Sequence, residues 1–139
     1  MADKINLAIV APDRTLFRGV VEDIYAPGIL GEFGILEGHS PFFSEIEPGK
    51  IHFKTGNKEK FAAVAEGFAI VSNDTVTLLV EAAEFPEEID VAKADQYKAR
   101  AEEKLAKLNL YDQDYRFWDL RLKRAVNRLQ VAKDKTAQA

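Results

Sequence analysis

Cysteine is missing from all 139 residues, which removes both a disulfide framework and any thiolate metal site. Histidine is scarce, and His39 and His52 alone do not make a metal centre. Long apolar runs are missing too. The opening MADKINLAIVAPD carries only a short one with Asp13 behind it, and no later stretch approaches the ~20 apolar residues of a membrane span. The chain is therefore expected to stay out of the bilayer and on the cytoplasmic side. It has no phosphate-binding GxxxxGK[ST] loop, no Ser, His and Asp in a triad order, and no isolated carboxylate pair, so catalysis by this chain alone is not expected.

Charge of one sign is also lacking. Residues 1–86 carry seven Lys and Arg against thirteen Asp and Glu, and residues 87–139 carry twelve against ten. A nucleic-acid binder needs a dominant basic face, and the acidic first part argues against one. The basic excess is confined to the end, where Arg116, Arg121, Lys123, Arg124, Arg128, Lys133 and Lys135 face only Asp119 and Asp134.

The hydrophobic period changes near residue 86. Before it, KINLAIV, LFRGVVEDIYA, GKIHFKT, KFAAVAEGFAIV and DTVTLLVEAA are short, β-branched or aromatic, partly alternating, and divided by Asn, Asp, Gly and Pro. Such a series predicts an N-terminal antiparallel β-sandwich or barrel over residues 1–86, with hairpin turns at TGN 55–57 and SND 72–74. After Pro86 glycine and proline stop altogether, and Ala, Glu, Lys, Leu and Arg favour helix. Residues 87–139 are expected to form a C-terminal antiparallel two-helix hairpin, with helices over about Asp90–Leu108 and Asp114–Ala132 joined by NLYDQ. Ala94, Tyr97, Ala101, Leu105 and Leu108 make one apolar stripe; Tyr115, Trp118, Leu122, Ala125, Val126 and Leu129 make the other. Two of the five residues in the first stripe are alanine, so it should hold its partner weakly, since each buried methylene adds only about 0.8 kcal/mol.

The stretch GEFGILEGHSPFF, residues 31–43, mixes Gly31, Gly34 and Gly38 with large apolar groups. That mixture predicts a shaped loop on which something rests, or else turn glycines around a satellite apolar cluster.

VAPDRTLFRG, GEFGILEGHSPF, AVAEGFAIV, VTLLVEAAE and LKRAVNRLQVA together resemble the epsilon subunit family of the F-type ATP synthase over nearly the whole chain. The loop string is the most specific, being similar to GELGILPGHAPL, with Phe33 in place of Leu and Glu37 in place of Pro. The resemblance implies a non-catalytic rotor subunit of the central stalk, peripheral at the cytoplasmic face of the inner membrane. It implies that the sandwich binds the gamma subunit and that Gly31, Glu32, Phe33, Gly34, Ile35, Gly38 and His39 meet the c-ring. Phe33 and Ile35 would supply apolar contact there, and Glu32 a charge for a basic partner. It further implies that the hairpin can fold down or extend, restraining ATP hydrolysis through Arg116, Arg121, Lys123, Arg124 and Arg128 against the alpha and beta catalytic subunits; a merely solvated basic face is the plainer alternative.

No cofactor is required on this reading, but the resemblance implies ATP as a regulatory ligand. Some members carry IDxxR with a second arginine seven residues on, which Ile89, Asp90, Lys93 and Arg100 match here, with Glu84 upstream and Arg128 downstream. Lys93 departs from the pattern, and a lysine offers a point charge instead of a planar fork. Asp90 is equally suited to cap a helix. Two other classes stay open on the residues alone: a stand-alone β-sandwich adaptor whose hairpin binds a partner protein, and a small sugar- or nucleotide-modifying enzyme using Glu32, Glu37 and His39.

Overall fold

The computed structural model describes residues 4–28, 31–35 and 41–138. The chain divides into two units, Met1–Glu84 and Phe85–Ala139.

In the first unit the apolar alternation of INLAIVA places Ile5, Leu7 and Ile9 in the core on strand β1 (Ile5–Ala11). The described strands continue as β2 (Arg14–Val21), β3 (Asp23–Gly28), β4 (Gly31–Ile35), β5 (Phe42–Ile46), β6 (Gly49–Thr55), β7 (Lys58–Val64), β8 (Gly67–Ser72), β9 (Thr75–Val80) and β10 (Ala83–Glu84). They hydrogen-bond in the order β10-β7-β6-β3-β5-β8-β9-β1-β2, and β4 pairs with β3. Every described pairing is antiparallel except β1 with β9, which is parallel. The strand path folds back on itself at β2 and β6: Phe17 and Phe53 bring their ring centroids to 4.7 Å, and the Thr55 hydroxyl donates to the Val20 carbonyl at 2.8 Å. The result is a β-sandwich with a barrel-like closure, its inner faces filled by Ile24, Ile35, Ile51, Phe53, Val76 and Leu78.

Turn chemistry follows the sequence. Gly56 and Asn57 both take positive φ, 56° and 68°, giving the tight two-residue connection that pairs Thr55 with Lys58. Asn73 does the same at 53° between β8 and β9. Two runs that read as continuous are divided. LFRGVVEDIYA breaks at Glu22, whose N–H donates to the Lys54 carbonyl at 2.8 Å as the chain leaves β1 for β6. KFAAVAEGFAIV breaks at Ala65 and Glu66, which bond to Ala82 and Glu81 instead.

The second unit begins with a 3₁₀ turn at Pro86–Glu88, closed reciprocally: the Phe85 N–H donates to Glu88 Oε1 at 2.8 Å and the Glu88 N–H to the Phe85 carbonyl at 3.0 Å. Helix α1 spans Val91–Leu105 and α2 spans Tyr115–Gln138. The first ends three residues earlier than the sequence suggests. Lys107 and Leu108 bond to carbonyls three residues back, and Asn109 N–H then donates to Asp112 Oδ2 at 2.9 Å, which turns the chain away from the helical path. The second runs beyond Ala132 because no breaker follows it. Ala94, Ala101 and Ala125 are buried as the stripes predict, together with Val131; Tyr97 is 53% exposed and Val126 46%, so both stripes are narrower than their spacing implies.

Candidate functional site

Three groups of residues carry the functional expectations, and the structure treats each differently. The first is the glycine-rich stretch. Residues 31–35 form strand β4 rather than loop, and 42–46 form β5, so the shaped-loop reading is corrected for both ends. Gly38 and His39, with Leu36 and Glu37, lie outside the described residues.

The glycines of this region answer to aromatic rings. A Cβ at Gly34 would stand 2.6 Å from Tyr25 Cε1, and one at Gly28 would stand 2.8 Å from Phe33 Cδ1. Tyr25 is the cross-strand partner of Gly34, so its ring lies over bare backbone. Gly31, at φ 121°, adopts a conformation L side chains rarely take. Ile35 is 1% exposed and pairs with Ile24 in the core, so the expectation that it offers apolar contact to a partner is overturned. Its side chain points inward because it lies one strand step from outward Gly34. Phe33 is half-buried against Phe42, with centroids 5.5 Å apart. Glu32 is exposed on the outer face, and its Oε2 lies 3.3 Å from His52 Nε2.

A feature the sequence reading did not single out is the outer face of β5, β8 and β9. Phe43 is 63% exposed and stacks on Phe68 at 5.1 Å, while Ile70 pairs with Phe43 and Leu79 with Phe68. The unbroken apolar run Phe68–Val71 in GFAIVS could have revealed it, since a strand without polar alternation is apolar on both faces.

The second group is the nucleotide-type cluster. Asp90 accepts a hydrogen bond from the Lys93 N–H at 3.1 Å and caps α1. Lys93 and Arg100 are two helical turns apart and share a face within about 20°. The Arg100 guanidinium lies 5.6 Å from the Trp118 ring centroid, with Lys104 at 5.7 Å over the same ring. Glu84 ends β10 opposite Ala63 in the first unit.

The third is the basic helix. At 100° per residue Arg121, Arg124 and Arg128 fall within about 60° of one another, while Arg116 and Lys123 lie together about 80–160° round. The five cations therefore make two groups, not one stripe. Lys123 pairs with Asp119 at 3.3 Å, and Arg121 lies 4.2 Å over the Phe117 ring. Among the described residues no group of His, Cys, Asp and Glu could hold a metal ion, and no helix is long and apolar enough to cross a membrane.

A β-sandwich followed by a hairpin of long helices defines a class by itself, and each part matches a known profile. Residues 4–86 match the ATP synthase delta/epsilon chain β-sandwich domain, and residues 87–133 match the long α-helix domain of the same chains. The ATP synthase epsilon chain of Geotalea daltonii is 41% identical over 132 residues, 95% of this chain and 96% of that one. That of Koribacter versatilis is 47% identical over 105 residues, 76% of this chain and 74% of its own. A chain in the Euglena gracilis mitochondrial ATP synthase shares the fold at a TM-score of 0.67 and 24% identity, over 98% of this chain and 81% of that chain. The chain belongs to the ATP synthase delta/epsilon family, and so is a subunit of that machine and not its catalytic one.

Proposed function

We propose that the chain is a rotor subunit: its sandwich joins the gamma subunit and meets the c-ring, and its hairpin restrains ATP hydrolysis by the alpha and beta subunits. The observation that carries the sandwich part is the apolar outer face of Phe43, Phe68, Ile70 and Leu79, a contiguous surface of the kind that marks a protein interface. The Euglena neighbour belongs to an assembly described as containing F1 and a c-ring, which supports the same placement. Attachment through such partners would hold the chain at the cytoplasmic face of the membrane without inserting it.

For the hairpin, the Arg121, Arg124 and Arg128 group is the surface we assign to acidic segments of the catalytic subunits. Reconstituted complex carrying a chain cut after residue 87, or one with these three arginines changed to alanine, should assemble normally and hydrolyse ATP faster. Equal hydrolysis in both variants, under conditions where the intact complex is restrained, would remove the regulatory part.

ATP is the regulatory ligand we assign to the Lys93 and Arg100 face of α1, with Asp90 and Arg128 as further members. A ligand bound only to the folded-down hairpin stabilises that state by about 2.7 kcal/mol at a hundredfold excess over its dissociation constant. Calorimetry on the isolated chain should detect binding that Arg100→Ala weakens and Lys93→Arg strengthens, because arginine restores a bidentate fork. No heat at millimolar ATP would leave Asp90 as a helix cap alone.

A further inference from the structure

On the outer face of β6, β3 and β4 three side chains interlock. Tyr25 on β3 pairs with His52 on β6 and with Gly34 on β4. The Tyr25 and His52 rings stack nearly parallel, with centroids 4.7 Å apart and an 11° tilt. His52 Nε2 is 3.3 Å from Glu32 Oε2. A carboxylate only accepts, so the imidazole donates from Nε2. Glu32 pairs with Pro27 in the ladder, two residues along from Gly34 and on the same face, so its carboxylate reaches across β3 to meet a ring seated two strands away.

Nearby cations are engaged elsewhere. Lys54, next along β6, pairs with Glu22 at 3.7 Å, and Lys50 lies 5.3 Å over the Phe61 ring. The arrangement also has a cost that the chain accepts. Glycine inside a strand weakens it, and Gly34 is glycine because Tyr25 occupies the volume of its Cβ. The tyrosine ring is the seat on which His52 rests.

We infer that His52 is a positioning residue: seated on Tyr25, it fixes the Glu32 carboxylate through Oε2, so that Oε1 is presented to a basic group on the surface β4 meets. This rests on the reading that the β4 segment contacts a partner's polar surface. A glutamate on an edge strand would otherwise lose rotamer freedom when its partner arrives. Holding it beforehand removes that loss, which for one side chain is worth roughly threefold to tenfold in affinity. The His52 bond therefore acts on binding through Glu32 and not through the stability of the sheet.

The test titrates full-length chain onto membranes bearing an ATP synthase stripped of it. Glu32→Gln should weaken binding. His52→Ala should weaken it roughly threefold to tenfold, and His52→Gln, whose amide N–H reaches a similar point, should restore most of the loss. In the Glu32→Gln background His52→Ala should cost nothing further, an outcome a merely structural histidine would not give. In the isolated chain, whose fold circular dichroism checks, Glu32→Gln should shift the His52 Nε2 resonance, and an unmoved resonance would overturn the positioning role. If Glu32→Gln weakens binding while His52→Ala does not, or if the two losses add, the positioning role is overturned and the contact survives. If Glu32→Gln binds like wild type, the contact reading itself fails.

Discussion

Phe53, Ile5, Leu7, Ile9, Ile24, Ile35, Ile51 and Leu78 are the large side chains buried most completely in the β unit, whereas the helical unit buries Ala94, Ala101, Ala125 and Val131. The two units therefore differ in what holds them. A strand presents a branched or aromatic side chain every second residue to one face, and a sheet folded back on itself covers that face from both sides. The helices meet over small groups, which allow close approach but remove little apolar surface from water. What alanine does not supply between the helices is supplied at the edge by charge over ring, Arg100 and Lys104 of α1 above Trp118 of α2. The contrast teaches that the sandwich is held by large side chains whose separation is costly, and the hairpin by small ones whose separation costs less.

The contrast breaks most visibly if a core deletion costs the same in both units. Phe53→Ala empties a ring from the middle of the sandwich and should destabilise it by about 3–5 kcal/mol, while Val131→Ala should cost the hairpin only about 1–2 kcal/mol. Urea unfolding, with β signal and helix signal followed separately, measures both. A Val131→Ala loss as large as that of Phe53→Ala would mean the helical unit depends on its core far more than its small side chains suggest.

Legibility in the sequence followed the same division. The sandwich, the hairpin turns at Gly56 and Asn73, and the start of α1 at Asp90 were readable because each rests on local chemistry: alternation, positive φ, a capping carboxylate. The fate of residues 31–35 was not. Glycines beside apolar groups read as loop, and only the cross-strand ring of Tyr25 explains why a strand tolerates Gly34. Ile35 was misplaced for the same reason, since the direction of its side chain depends on the strand's register with β3. The basic run near the end was legible as composition, but helical geometry separates Arg116 and Lys123 from the other three, a division that linear spacing hides. The His52 contact with Glu32 joins residues twenty positions apart and left no local trace.

The smallest effect sharpens the comparison most, because it isolates the contacts that stand in for a core. Lys104 lies 5.7 Å over Trp118 and also occupies the last turn of α1, where a cation favours the helix dipole. Lys104→Gln keeps the length of the side chain and removes its charge, so it should cost about 0.5 kcal/mol in helix stability, as an exposed cation–π contact does. Far-ultraviolet circular dichroism during urea unfolding reads the loss. The same change made in a Trp118→Leu chain separates the two origins: if the ring is the partner, Lys104→Gln should then cost almost nothing, and if the dipole is, the cost should be unchanged. An unchanged cost would return the hairpin's stability to its alanines and Val131, and would make α1 and α2 hold together more weakly than the Trp118 geometry indicates.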